Sequence, residues 1–100
     1  MVLLLLFDLP TQKAAQRRAY REFRKHLKRS GFIPIQESVY VLLLHNQTGL
    51  QRAVAQIEQA APEEGSVALL PLSLRVFRSM SYLRGKPFHF SRFADDVIVI

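Results

Sequence analysis

Residues 2 to 10 read Val2-Leu3-Leu4-Leu5-Leu6-Phe7-Asp8-Leu9-Pro10. The apolar run from Val2 to Phe7 is too short for a buried helix, and Asp8 and Pro10 close it. It therefore reads as a central strand of a sheet, buried on both faces. The run has no basic leader and no cleavage-site pattern, so it does not read as a secretion signal. No segment of the chain approaches the roughly 18 apolar residues of a membrane span, so the expected protein is cytoplasmic with no membrane partner.

Outward from this strand the chain alternates in kind. Thr11 is the expected cap and Gly31 the expected left-handed terminator of a helix of about 19 residues. On its helical wheel Ala15, Ala19, Tyr20, Phe23 and Leu27 share one side, with His26 beside them, while every basic residue falls on the other. Phe32 to Leu44 is rich in β-branched and aromatic residues and is interrupted at Gln36-Glu37-Ser38, which predicts strand, tight turn, strand. Asn46 to Thr48 starts a second helix carrying Leu50, Ala53, Val54, Ile57 and Ala61 at helical spacing, and Pro62 ends it. After a turn at Glu64-Gly65, Ser66 to Leu72 is another short strand. The order is βαββαβ, an α+β ferredoxin-like plait with both helices on one face of an antiparallel sheet.

That domain is expected over residues 1–80, with Arg75 to Met80 as a further strand. Residues 81–100 then form a basic, aromatic connection and a closing strand. Val97, Ile98, Val99 and Ile100 have no turn to bring back a partner, so they are expected to pair with the sister subunit or another protein.

The whole chain of 100 residues carries a net charge of +6 and has no cysteine, which excludes disulfides and thiolate metal sites. A single domain this small gains burial from pairing with a second copy, so a homo-oligomer is expected. Charge is concentrated rather than spread. Lys13, Arg17, Arg18, Arg21, Arg24, Lys25, Lys28 and Arg29 face the single acid Glu22 between residues 11 and 30, a local net of +7. Solvated faces normally mix signs, and an unmixed cationic face is a footprint for a polyanion. A long helix face without interleaved aromatics suits duplex phosphates better than splayed single-strand bases.

Other chemistry is thinly represented. His26, His45 and His89 are isolated and show no metal-ligand spacing. Ser38 has no nucleophile partner at a recognisable spacing, there is no glycine-rich phosphate loop, and the aromatic pattern of RNA-recognition plaits is absent. Asp8 stands at the carboxyl end of the first strand, where one carboxylate is enough for magnesium with water or phosphate as the other ligands. An Asp before Leu-Pro-Thr is also a common turn former.

Phe7-Asp8 closing the first strand, Arg17-Arg18 on a basic helix, Gly31-Phe32 and Gln36-Glu37-Ser38-Val39-Tyr40 occur here in that order. Together they resemble the CRISPR-associated protein 2 family over residues 1–80, and the ending Asp95-Asp96-Val97-Ile98-Val99-Ile100 is similar to that family's closing strand. The resemblance implies a homodimer that bridges two dimers of the CRISPR integrase and holds incoming double-stranded DNA during spacer acquisition. The same family also contains metal-dependent endonucleases acting on RNA or double-stranded DNA. By residue it implies a catalytic, magnesium-binding Asp8, nucleic-acid-binding Arg17 and Arg18, and Ser38 and Tyr40 as a Ser-Val-aromatic motif near the site. The position before the aspartate is often tyrosine in the family; Phe7 lacks that hydroxyl. Three functions stay open: a phosphate-gripping scaffold, a magnesium-dependent nuclease, and a toxin-like RNA interferase.

Overall fold

The computed structural model describes residues 1–90, so the expected closing strand Val97–Ile100 lies outside the described residues. The elements are β1 (Val2–Asp8), α1 (Ala14–Arg29), β2 (Ile33–Gln36), β3 (Val39–Leu43), α2 (Gln47–Ala60), β4 (Ser66–Leu72) and α3 (Leu74–Arg78). The four strands form one antiparallel sheet in the order β2-β3-β1-β4, the plait expected from the sequence. β1 is central, pairing Leu5 with Tyr40 on one side and with Leu69 on the other.

Side chains alternate across a strand, so β1 serves two faces. Leu3, Leu5 and Phe7 point into the main core, where they meet Phe23 and Leu27 of α1, Tyr40 of β3, and Ala53 and Ile57 of α2. Val2, Leu4, Leu6 and Asp8 occupy the opposite face. Its Val2 end is covered: Val2 and Val41 pack with Phe77 and Phe90 in a second, smaller core flanked by Phe88. Among the described residues nothing covers the Leu6 end. Leu6 is 39% exposed, so the expectation that β1 is buried on both faces fails there. Both long helices lie on the other side, and α3 with Phe88 and Phe90 reaches only part of this one.

α1 begins at Ala14, after Lys13, rather than at a Thr11 cap. The reason is local. The Gln16 side-chain Oε1 accepts from the backbone N–H groups of Gln12 and Lys13, and the Arg17 guanidinium donates to the backbone carbonyls of Thr11 and Gln12. These bonds hold Thr11 and Gln12 in the loop. The end of the helix matches the sequence: Gly31 takes φ +93°, its N–H reaches Lys28 O, and Phe32 N–H reaches Leu27 O. This pairing satisfies two carbonyls of the last turn and packs Phe32 near Leu27. Ala15 is exposed and Ala19 half-buried, so Phe23 and Leu27 carry the core side of α1.

α2 is capped by the Asn46 side chain, which accepts from Gly49 N–H at 2.8 Å. The strand expected at Arg75 to Met80 is instead the short helix α3. Ser73 Oγ accepts from Val76 N–H and Ser79 Oγ donates to Val76 O, which fixes the turn and drops Phe77 onto Val2 and Val41. Residues 81–90 dock partly through Phe88 and Phe90, whose rings lie 5.0 Å apart and pack edge-on.

Candidate functional site

The burial of Phe23 and Leu27 rolls the rest of α1 outward. Lys13, Arg17, Arg18, Arg21, Arg24, Lys25, Lys28 and Arg29 are all exposed, and Arg21, Arg24, Lys25 and Lys28 line one shallow groove. Their spacing puts like charges one turn apart, which weakens a helix by about 0.2–0.5 kcal/mol per pair until a counter-charge arrives. Lys28 and Arg29 in the last turn complement the helix dipole, and no acid neutralises the first turn.

Two of these arginines are held in place. Arg17 donates through Nη1 to the carbonyls of Thr11 and Gln12, tying α1 to the loop that follows Asp8. Arg24 Nε donates to Tyr40 Oη at 3.4 Å, and its guanidinium carbon lies 5.7 Å from the centre of the Tyr20 ring. The hydrogen bond to Tyr40 is the main cause that raises the Arg24 pKa above its ordinary value. Tyr40 is only 1% exposed and its ring lies 5.9 Å from that of Phe7. Phe7 also packs edge-on against Tyr20 and Phe23.

Asp8 lies elsewhere. By strand alternation it shares the face of Val2, Leu4 and Leu6, with the sheet between it and α1. It is exposed, and its cross-strand partner on that face is Ser66. Leu6 is its neighbour on that face, and the 53% exposed Leu70 lies further along, opposite Leu4. Gly65 precedes Ser66 with φ +91°, and a Cβ there would stand 2.6 Å from the Asp8 carbonyl oxygen, so the strand end needs glycine.

The residues singled out in the sequence therefore divide. Ser38 is near the end of β1 through its carbonyl, which accepts from Phe7 N–H at 3.1 Å. Tyr40 is on the α1 face, away from Asp8. Phe7 points the same way into an aromatic cluster, so a hydroxyl at that position would enter the core rather than approach the carboxylate. Among the described residues no group of three or more His, Cys, Asp or Glu gathers around a point. Asp8 still fits a hard cation such as magnesium, which accepts a single carboxylate and fills its other positions with water or phosphate. Sequence reasoning missed the Arg24–Tyr40 link, which depends on β3 register, and the exposure of Leu6 and Leu70. Only the latter left a sequence signal, because two helices on one face leave the other to be covered by something else.

Comparison with known proteins adds a consistent picture. The model of the family described as CRISPR associated protein Cas2 matches residues 1–80. A CRISPR-associated endoribonuclease Cas2 of Streptococcus mutans serotype c is 41% identical over 86 residues, 86% of this chain and 79% of the relative. One from Ligilactobacillus salivarius is 40% identical over 86 residues, 86% of this chain and 85% of the relative. A crystal structure of Streptococcus pyogenes Cas2 at pH 6.5 aligns with a TM-score of 0.66 and 21% identity, covering 84% of this chain and all of that one; it supports the fold.

Proposed function

The chain belongs to the CRISPR associated protein Cas2 family, and from that premise we propose that it is a homodimeric, duplex-DNA-gripping scaffold of spacer acquisition. In this reading α1 of each subunit tracks the phosphates of double-stranded DNA while the dimer bridges copies of the CRISPR integrase. The observation that carries it is the exposed stripe Arg21, Arg24, Lys25 and Lys28, with Phe23 and Leu27 anchoring the helix behind it. Each neutralised phosphate releases about 0.9 of a counterion, so affinity should fall steeply with salt and depend little on sequence. Replacing Arg21, Arg24 and Lys28 by Glu should abolish binding to unrelated duplexes alike. Reversing Arg52 of α2 should leave it nearly unchanged. Equal losses from the two helices would overturn α1 as the binding face.

A second reading is favoured by Asp8 and by the endoribonuclease names of the relatives: metal-dependent cleavage of RNA or DNA. A second copy seated on the open face beside Leu6 and Leu70 would bring two Asp8 carboxylates toward one another. Bound magnesium would supply charge neutralisation at a phosphodiester and an activated water. Asp8 would hold that ion, while α1 lies on the far side of the sheet from it. Among the described residues no helix is long and apolar enough to cross a membrane.

A further inference from the structure

The seven cations of α1 are all exposed, yet one of them is set apart by what stands behind it. Arg24 is exposed, but its Nε–H is tied to the hydroxyl of a tyrosine that is 1% exposed, and its guanidinium lies over a second tyrosine ring. Tyr40 cannot move easily, because its ring belongs to the cluster with Phe7 and its backbone pairs with Leu5 and Pro34.

The point of attachment matters. A bond through Nε leaves both terminal nitrogens of Arg24 available, the pair that grips a phosphate with two parallel hydrogen bonds. Arg17 differs in this respect, since it donates to two carbonyls through a terminal nitrogen. A long side chain ordinarily loses rotamer freedom when it binds, and one already held loses less.

We propose that Tyr40 is a positioning residue for the nucleic-acid face: its buried hydroxyl, with the Tyr20 ring, pre-sets Arg24 as the first phosphate clamp of the α1 stripe. This rests on the reading of α1 as the duplex-binding face, and it gives Tyr40 a role apart from Asp8. Arg24 is thus the rigid point of the stripe, and Arg21, Lys25 and Lys28 adjust around the phosphate path that it starts.

The test uses the full chain, a blunt DNA duplex of mixed sequence, and Tyr40→Phe, which keeps the ring and removes only the hydroxyl. Affinity should fall roughly three- to tenfold, the range expected when one long side chain must be ordered on binding. The salt slope should stay unchanged in Tyr40→Phe, and fall by about 0.9 in Arg24→Gln, which removes the charge. In the Arg24→Gln background, Tyr40→Phe should have no further effect. In the free protein, the Arg24 Nε–H should show a higher NMR order parameter than those of Arg18 and Arg21, and lose that excess in Tyr40→Phe.

Loss in Arg24→Gln with none in Tyr40→Phe would overturn the positioning role and leave the α1 reading intact. Equal loss from Tyr40→Phe with or without Arg24 would reduce the tyrosine to a packing residue. If neither variant nor the triple reversal of the stripe weakens binding, the α1 reading fails and the clamp with it. An Arg24 Nε–H as mobile as its neighbours would overturn pre-setting whatever the duplex does.

Discussion

Asp8 and Arg24 are both exposed charged residues, but their surroundings differ. Asp8 is the last residue of β1, opposite Ser66 and beside Leu6. Arg24 is braced by Tyr40 on the far side of the sheet. Asp8→Asn removes the charge and keeps the size and the turn-forming amide, so fold and duplex affinity should stay near wild type. Magnesium-dependent cleavage of RNA or duplex DNA should fall at least about a hundredfold, or about 2.7 kcal/mol of transition-state stabilisation. Undiminished cleavage in a nuclease-free preparation would remove Asp8 as the metal ligand. A collapse of reconstituted integration, with duplex affinity intact, would make the carboxylate part of the scaffold's own task.

At the scale of elements, the junction of β4 with the end of β1 leaves no room for a side chain at Gly65. Gly65→Ala meets two obstacles, a left-handed backbone and a contact of 2.6 Å with the Asp8 carbonyl oxygen. It should lower stability by roughly 2–4 kcal/mol, read from the urea midpoint. Gly85→Ala is the control, since its φ is +86° but nothing lies within 4 Å, and it should cost no more than about 1–2 kcal/mol. Equal effects would show that crowding at Asp8 contributes nothing. The same elements explain what was legible in the sequence. β1, α2 and β4 could be read because local chemistry marks their limits: Asp8 and Pro10, Asn46 and Pro62, Glu64-Gly65. The end of α1 at Gly31 was readable for the same reason. Its start was not, because it depends on Arg17 and Gln16 reaching back to the loop. Residues 75–80 look like a strand until Ser73 caps a turn and Phe77 finds Val2 and Val41, a contact made across the sheet. The α1 stripe needed no partner to be recognised, whereas the tyrosine behind Arg24 needed the register of β3.

Among the described residues the sheet has one face covered by two helices and one covered only at its Val2 end. Leu6 and Leu70 are exposed together on that face, where the proposed dimer would seat its second copy. A two-fold pairing would meet any substitution there twice. Leu70→Glu should therefore raise the dimer dissociation constant at least about a hundredfold by sedimentation, because each copy would have to bury a charge. The protomer's melting temperature at a concentration where it is monomeric should barely change, since Leu70 is 53% exposed there. A dimer that survives the substitution must be built on another surface. Alternation along β1 has a longer reach than either test. Positions 3, 5 and 7 speak to the helix layer, and positions 2, 4, 6 and 8 to the other side. Parity acts as an address, and a change delivered to one side is not received on the other. A lineage could let its carboxylate lapse while refining its grip on phosphates, or the reverse, without rebuilding the strand that both depend on.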